Sequence, residues 1–187
     1  MQRRRILLRG AALGGLASLW SARALAVIYM DIEQARKVLL PQAATFDALP
    51  LAIDAQVAAQ ISAATQKRVP AGFQPAAWTG RDAQGQRVGF VLADRVTGKY
   101  ELIDYAAGFG ADGAVTQVEV LAYRESHGGE IRSSAWRKQF AGRKTPAEMR
   151  FGDDIRNISG ATLSCEHVTD GVQRLSAIVG IQLQKKP

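Results

Sequence analysis

The sequence predicts an α+β fold: a twisted antiparallel sheet with packed helices, forming a single domain after a signal peptide. Three observations carry this expectation. Between Gln86 and Tyr123, apolar and polar residues alternate in three runs separated by tight turns. Near the C-terminus Cys165, Val168, Val172, Leu175 and Val179 recur at spacings of three and four, the period of one helical stripe. No Gly-x-Gly-x-x-Gly follows any of the strand runs, so a parallel nucleotide-binding sheet lacks its main support.

At the N-terminus, Arg3, Arg4 and Arg5 precede an apolar run from Gly10 to Trp20 that is short for a bilayer span. Ala24-Leu25-Ala26 follows, with small residues where a signal peptidase reads the chain. Residues 1–26 are therefore expected to be a cleaved signal peptide, of twin-arginine type from Arg4-Arg5 and the following Ile6-Leu7-Leu8. The mature protein, residues 27–187, is expected in the periplasm.

The leader also explains the charge. The whole chain carries +7, but five of its 24 basic residues and none of its 17 acidic ones lie in residues 1–26. The remainder has 19 basic residues against 17 acidic, a balance that gives no phosphate-neutralising surface, so nucleic acid is excluded as a partner. The one cysteine, Cys165, cannot form an intramolecular disulfide, and there is no Cys-x-x-Cys-His for an attached haem.

Along the mature chain, Asp31 to Leu40 reads as a short amphipathic helix. Asp31 caps it, Ile32, Ala35, Val38 and Leu39 share a face, and Pro41 ends it. Asp54 to Thr65 is a second helix, with Val57, Ile61 and Ala64 at helical spacing. The first strand run alternates through Val88, Phe90 and Leu92, and turns at Val96-Thr97-Gly98-Lys99. The next begins at Tyr100, Leu102 and Asp104; a turn at Ala111-Asp112-Gly113 leads to the third, with Val118 and Val120. Ser133 to Phe140 reads as a short helix, Thr145-Pro146 as a helix start or turn, and Gly152-Asp153-Asp154 as a loop.

The chemistry concentrates just before the last helix. Ser159-Gly160-Ala161-Thr162 supplies two hydroxyls, a glycine that lets a ligand approach the backbone, and an alanine too small to block it. A helix N-terminus here presents free N–H groups and the positive end of its dipole, a place for a phosphate. The same four residues also describe an ordinary helix cap, since Ser and Thr commonly hold that position.

The wider stretch Asp154-Ile155-Arg156-Asn157-Ile158-Ser159-Gly160-Ala161-Thr162-Leu163-Ser164 resembles the FMN-binding domain family. That family includes flavin-carrying subunits of the sodium-pumping NADH:quinone reductase and of the Rnf complex, and stand-alone periplasmic relatives. The resemblance extends over roughly Gly80 to Leu175. It takes in Gly98-Lys99 with the following Ile103-Asp104-Tyr105-Ala106, the loop Tyr123-Arg124-Glu125-Ser126-His127-Gly128-Gly129-Glu130-Ile131-Arg132, and Trp136-Arg137-Lys138-Gln139-Phe140. The chain departs from many members in having Arg156 where they carry an acidic residue, and Ser126-His127 where they have Thr-Pro.

The resemblance implies FMN joined covalently to Thr162 through a phosphoester, taken from FAD by a magnesium-dependent flavin transferase. It makes Ser159, Gly160 and Ala161 the recognition turn. It places Leu163 and Ser164 at the site from the helix start, and Tyr123, Glu125, Gly128 and Gly129 from the loop approaching the flavin ring. Trp136 and Trp78 are candidate covers for the ring, although a tryptophan in a small domain is commonly core. Glu125 and Glu130 shape the site or are simply solvated.

The implied role is an electron carrier rather than a self-sufficient enzyme, with a membrane or periplasmic redox partner such as a cytochrome or a quinone-linked complex. The alternative is a redox-sensing regulatory or assembly module built on the same domain. No nucleophile, base and orienting acid form a catalytic set, and Cys165, His127 and His167 are too scattered to hold a metal.

Overall fold

The computed structural model describes residues 27–183, and the signal peptide assigned to 1–26 lies outside the described residues. Six strands form one sheet: β1 (Val27–Ile28), β2 (Thr45–Ala48), β3 (Ala76–Arg81), β4 (Arg87–Thr97), β5 (Leu102–Gly110) and β6 (Val115–Tyr123). Their spatial order is β1-β6-β5-β4-β3-β2, and every neighbouring pair is antiparallel. The helices are α1 (Ile32–Leu39), α2 (Ala55–Thr65), the single turn α3 (Ser134–Arg137) and α4 (Thr162–Ile178). The expected fold class is the observed one.

The strands read from alternation are β4, β5 and β6, the long centre of the sheet. Residues facing opposite sides of it divide as a period of two requires: Leu92, Val96, Ile103, Tyr105 and Val118 enter the larger core, while Val91 and Ala106 enter a smaller one. Alternation does not reveal the other three strands. β1 is two residues long and β2 four, too short for a period to register. β3, Ala-Ala-Trp-Thr-Gly-Arg, carries Gly80 where a larger residue would meet Leu40 and Ala43 at 3.0 and 3.1 Å.

The larger core lies under α2 and α4, and the smaller under α1. All five members of the expected stripe on α4 are fully buried, through Val179, where the helix widens into a π-type turn ending at Leu183. Gly171 lets α4 sit close to the sheet, because a Cβ there would fall 2.2 Å from the Tyr105 hydroxyl. That hydroxyl donates to Asp94 at 3.1 Å. Burial pushes the Asp94 carboxyl above its usual range, and Arg174 of α4 lies 3.8 Å away.

Two helix faces differ from expectation. Val38 is 41% exposed, and buried Arg36 takes a place against the sheet instead. The Arg36 guanidinium stacks over Phe46 and Trp78 at 5.3 and 5.1 Å, which an arginine manages because its stem and planar head are only weakly hydrated. In α2 Ala64 faces solvent and Thr65 is buried, bonding back to the Ile61 carbonyl at 2.9 Å. Among the described residues, no helix is long and apolar enough to cross a membrane.

Candidate functional site

The ends of β4, β5 and β6 and the beginning of α4 come together at one end of the sheet. Between them lies a cleft of about 360 Å³. One wall is the turn and helix start Gly160, Ala161, Thr162, Leu163 and Ser164; the other is Lys99 and Tyr100 after β4, with Glu125, Ser126 and His127 after β6. Segments far apart in sequence thus meet.

The α4 wall is built unusually for a helix start. Ala161 is the N-cap residue, at φ −123° and ψ 20°, and no side chain caps the helix. Thr162 is its first residue and is exposed. The cap explanation for Ser159 and Thr162 is therefore not realised: neither hydroxyl closes the helix. The N–H groups of the first turn are left for a partner from outside, as an anion site requires. Gly160 takes φ +85°, with nothing within 4 Å of the place a Cβ would occupy. The turn before the helix is therefore open to approach.

Buried Ala161 and Ser164 hold this wall in place. The Tyr123 hydroxyl donates to the His127 carbonyl at 2.6 Å and lies 3.0 Å from Ser164 Oγ, whose hydrogen is then available to it. Burial raises the Tyr123 phenol above its ordinary pKa of 10.0, the Ser164 contact opposing the shift. Gly128 makes the junction possible. It sits at φ +87°, and a Cβ on it would come within 2.6 Å of the Tyr123 hydroxyl and 3.2 Å of Ala161 Cβ. Tyr123 and Gly128 thus support the cleft from behind without lining it.

Glu125 is not a solvated loop charge. Its carboxylate accepts the Tyr100 and Glu101 backbone N–H groups at 2.6 and 2.9 Å, fastening the turn after β4 to the loop after β6. Gly98 leaves room for it, since a Cβ there would meet Glu125 Oε1 at 2.7 Å. This clamp presents Lys99 and Tyr100 to the cleft. Tyr100 is 75% exposed, with the Lys99 ammonium 4.9 Å from its ring centre. Neither residue stands out in the sequence as a site residue. The signal available is Gly98-Lys99-Tyr100, where a turn brings a cation and an aromatic to the end of a strand opposite the glycine loop.

Trp136 stands elsewhere. It is buried against Phe140, ring centres 5.3 Å apart, and does not line the cleft; its indole N–H donates to the Arg156 carbonyl at 2.8 Å. It braces the segment leading to the Ser-Gly-Ala-Thr turn rather than covering a ligand. Trp78, under Arg36, is also outside the cleft. Gly129 starts a 3₁₀ turn through Arg132 and Ser159 is exposed; neither lines the cleft. Glu130 likewise lies in that turn.

Cys165, one turn into α4, is buried with its thiol pushed up to about 11 by desolvation, which suits packing and not nucleophilic chemistry. His167 donates from Nδ1 to the Thr97 carbonyl at 2.6 Å, and His127 faces Ser126 Oγ at 2.9 Å. No group of three metal-ligating side chains occurs among the described residues.

The donor set fits a flavin phosphate: an open helix head, an exposed hydroxyl on its first residue, and the Lys99 ammonium across the cleft. Tyr100 and the half-exposed Leu163 offer apolar surface to a ring beside it. Residues 98–177, which include both walls, match the model of the FMN-binding domain. The chain is 26% identical over 148 residues to a subunit of the Na(+)-translocating ferredoxin:NAD(+) oxidoreductase complex of Acetobacterium woodii, covering 74% of this chain and 69% of that protein. Among solved structures it is similar to the crystal structure of Shewanella oneidensis NqrC, with 16% identity, a TM-score of 0.44, and coverage of 82% of this chain and 76% of that one. Residues 98–177, the part of the chain that builds the cleft, are thus similar to the FMN-binding domain.

Proposed function

We propose that this chain is a periplasmic electron-transfer flavoprotein carrying FMN covalently, through a phosphoester on Thr162. The observation that carries the reading is the head of α4: an uncapped helix whose first residue is an exposed threonine in the wall of a cleft. A phosphate esterified to that hydroxyl would sit beside the N–H groups of Leu163 and Ser164, at the positive end of a 17-residue helix. Lys99 would offset its remaining charge across the cleft, and Tyr100 and Leu163 would flank the ring.

Flavin in such a site supplies exchange of one or two electrons, and so couples a two-electron donor to one-electron acceptors. The protein's own part is retention, orientation and the environment of the ring. Covalent attachment suits an exported protein, because a loosely held cofactor is lost to dilution outside the cytoplasm. The arginine-led apolar segment of residues 1–26, ending Ala24-Leu25-Ala26, supports export and cleavage. A magnesium-dependent flavin transferase would load the chain. The relative from Acetobacterium woodii is named as a subunit of an oxidoreductase complex, which supports a membrane redox complex as the partner here.

Co-expression with a flavin transferase, followed by a denaturing gel, tests the attachment. Yellow-green fluorescence is expected to survive boiling in the unmutated chain and to vanish in Thr162→Ala. A colourless band from the unmutated chain would overturn the reading.

A further inference from the structure

We propose that Asn157 is the positioning residue for flavin attachment, its side-chain amide setting the Thr162 hydroxyl for attack. The inference rests on the attachment reading above. Asn157 Nδ2 donates to Thr162 Oγ1 at 3.2 Å across the Ser-Gly-Ala-Thr turn, five residues apart. Both residues are exposed, so the contact is not a by-product of core packing.

The backbone that presents Asn157 is held on both sides. Immediately before it, the Arg156 N–H donates to Gln139 Oε1 at 2.9 Å and the Arg156 carbonyl accepts the Trp136 indole N–H at 2.8 Å. Ile155 is fully buried, and the Ala161 N–H closes the turn onto the Ile158 carbonyl at 2.9 Å. An exposed amide on an unbraced loop would lose rotamer entropy to reach Thr162; here most of that ordering is built in. The acidic side chain nearby in sequence does not compete, because Asp154 accepts from both the backbone N–H and Nε of Arg150 at 3.0 Å.

The chemistry gives the amide a task. Thr162 Oγ attacks the phosphorus on the flavin side of the FAD pyrophosphate. The Oγ–P bond forms, the P–O bond to AMP breaks, AMP leaves, and the hydroxyl proton passes to a base of the transferase. No oxidation state changes. As the proton leaves, negative charge grows on Oγ, and an N–H already aimed at that atom stabilises it without reorganising. The amide occupies one lone pair of Oγ, which leaves the O–H directed away from Asn157 toward the incoming base.

The test uses full-length chain made in cells lacking a flavin transferase, incubated with purified transferase, Mg²⁺ and FAD. Intact mass follows the flavinylated fraction over time. In Asn157→Ala, and in Asn157→Asp, which keeps the shape but offers no amide hydrogen, kcat is expected to fall about tenfold. KM for the chain and the thermal midpoint should stay as in the unmutated protein. Labelling of either variant at the unmutated rate overturns the proposal, as does a raised KM with kcat kept, which would make Asn157 a docking contact. If the unmutated chain also fails to label, the attachment reading itself falls and this inference with it; a labelled wild type with a fast Asn157→Ala overturns the inference alone.

Discussion

The heads of the three longer helices are built differently. α1 begins with a complete capping box: Asp31, at φ −80° and ψ 169°, accepts the Gln34 N–H at 2.8 Å, and the Gln34 side chain accepts the Asp31 N–H in return. α2 begins with Asp54, at φ −77° and ψ −179°, accepting the Val57 N–H at 2.8 Å. α4, the longest and most buried of the three, begins with Ala161 and no cap. A cap contributes about 1 kcal/mol. The chain uses that stabilisation where a helix only supports the sheet and forgoes it where the helix faces the cleft, leaving open donors there that are held in place from behind.

That support is the first place to break the contrast. Gly128→Ala should have the largest effect on stability, about 2–4 kcal/mol, because it combines left-handed backbone strain with a Cβ pressed against the Tyr123 hydroxyl and Ala161. Urea unfolding measures it. A loss below about 1 kcal/mol would mean that the loop after β6 does not hold the head of α4.

Tyr123→Phe follows, at about 1–3 kcal/mol, since it strips the partner from the His127 carbonyl and the buried Ser164 hydroxyl. Its pH dependence has a definite sign. The folded phenol titrates above its ordinary value of 10.0, so its contribution is complete below pH 10 and is lost as pH rises through the folded pKa. The stability gap between wild type and Tyr123→Phe should therefore be constant at neutral pH and narrow above pH 10. A gap that widens there would contradict the hydrogen-bonded, protonated phenol.

The same contrast shows what is legible in the sequence. The cap of α1 can be read because Asp31 stands directly before helical periodicity, and the long strands because Val, Phe and Leu alternate in them. The α4 motif is recognisable as a site, yet its four residues do not separate cap from ligand site. That requires the Ala161 dihedrals, and Gly128 packed behind that residue, neither of which is written in the four residues themselves. Lys99, Tyr100 and the clamping role of Glu125 are not legible, because they depend on strand ends meeting across 25 residues. Trp136 draws notice for its ring, whereas its indole N–H does the bracing.

Asp31→Ala sharpens the contrast from the other side. It should cost about 1 kcal/mol by opening the α1 box, while flavin attachment at Thr162 proceeds at the unmutated rate, as read by intact mass. Slowed attachment would show that the two helix heads are coupled through the sheet.

The smallest expected effect is the most discriminating. If the head of α4 merely lacked a cap, Ala161→Ser would supply one and raise stability by about 1 kcal/mol. The backbone argues otherwise. Asp31 and Asp54 cap from extended conformations, whereas Ala161 lies at ψ 20°, which turns its side chain away from the N–H groups of the first turn. Ala161 is also buried against the place where Gly128 packs, so a serine hydroxyl there gains no water and no cap. Ala161→Ser should therefore leave stability unchanged or lower it by less than about 1 kcal/mol, measured by urea unfolding beside Asp31→Ala. A gain instead would show that serine can close the α4 head in the ordinary way, and its open donors would then need no ligand to explain them.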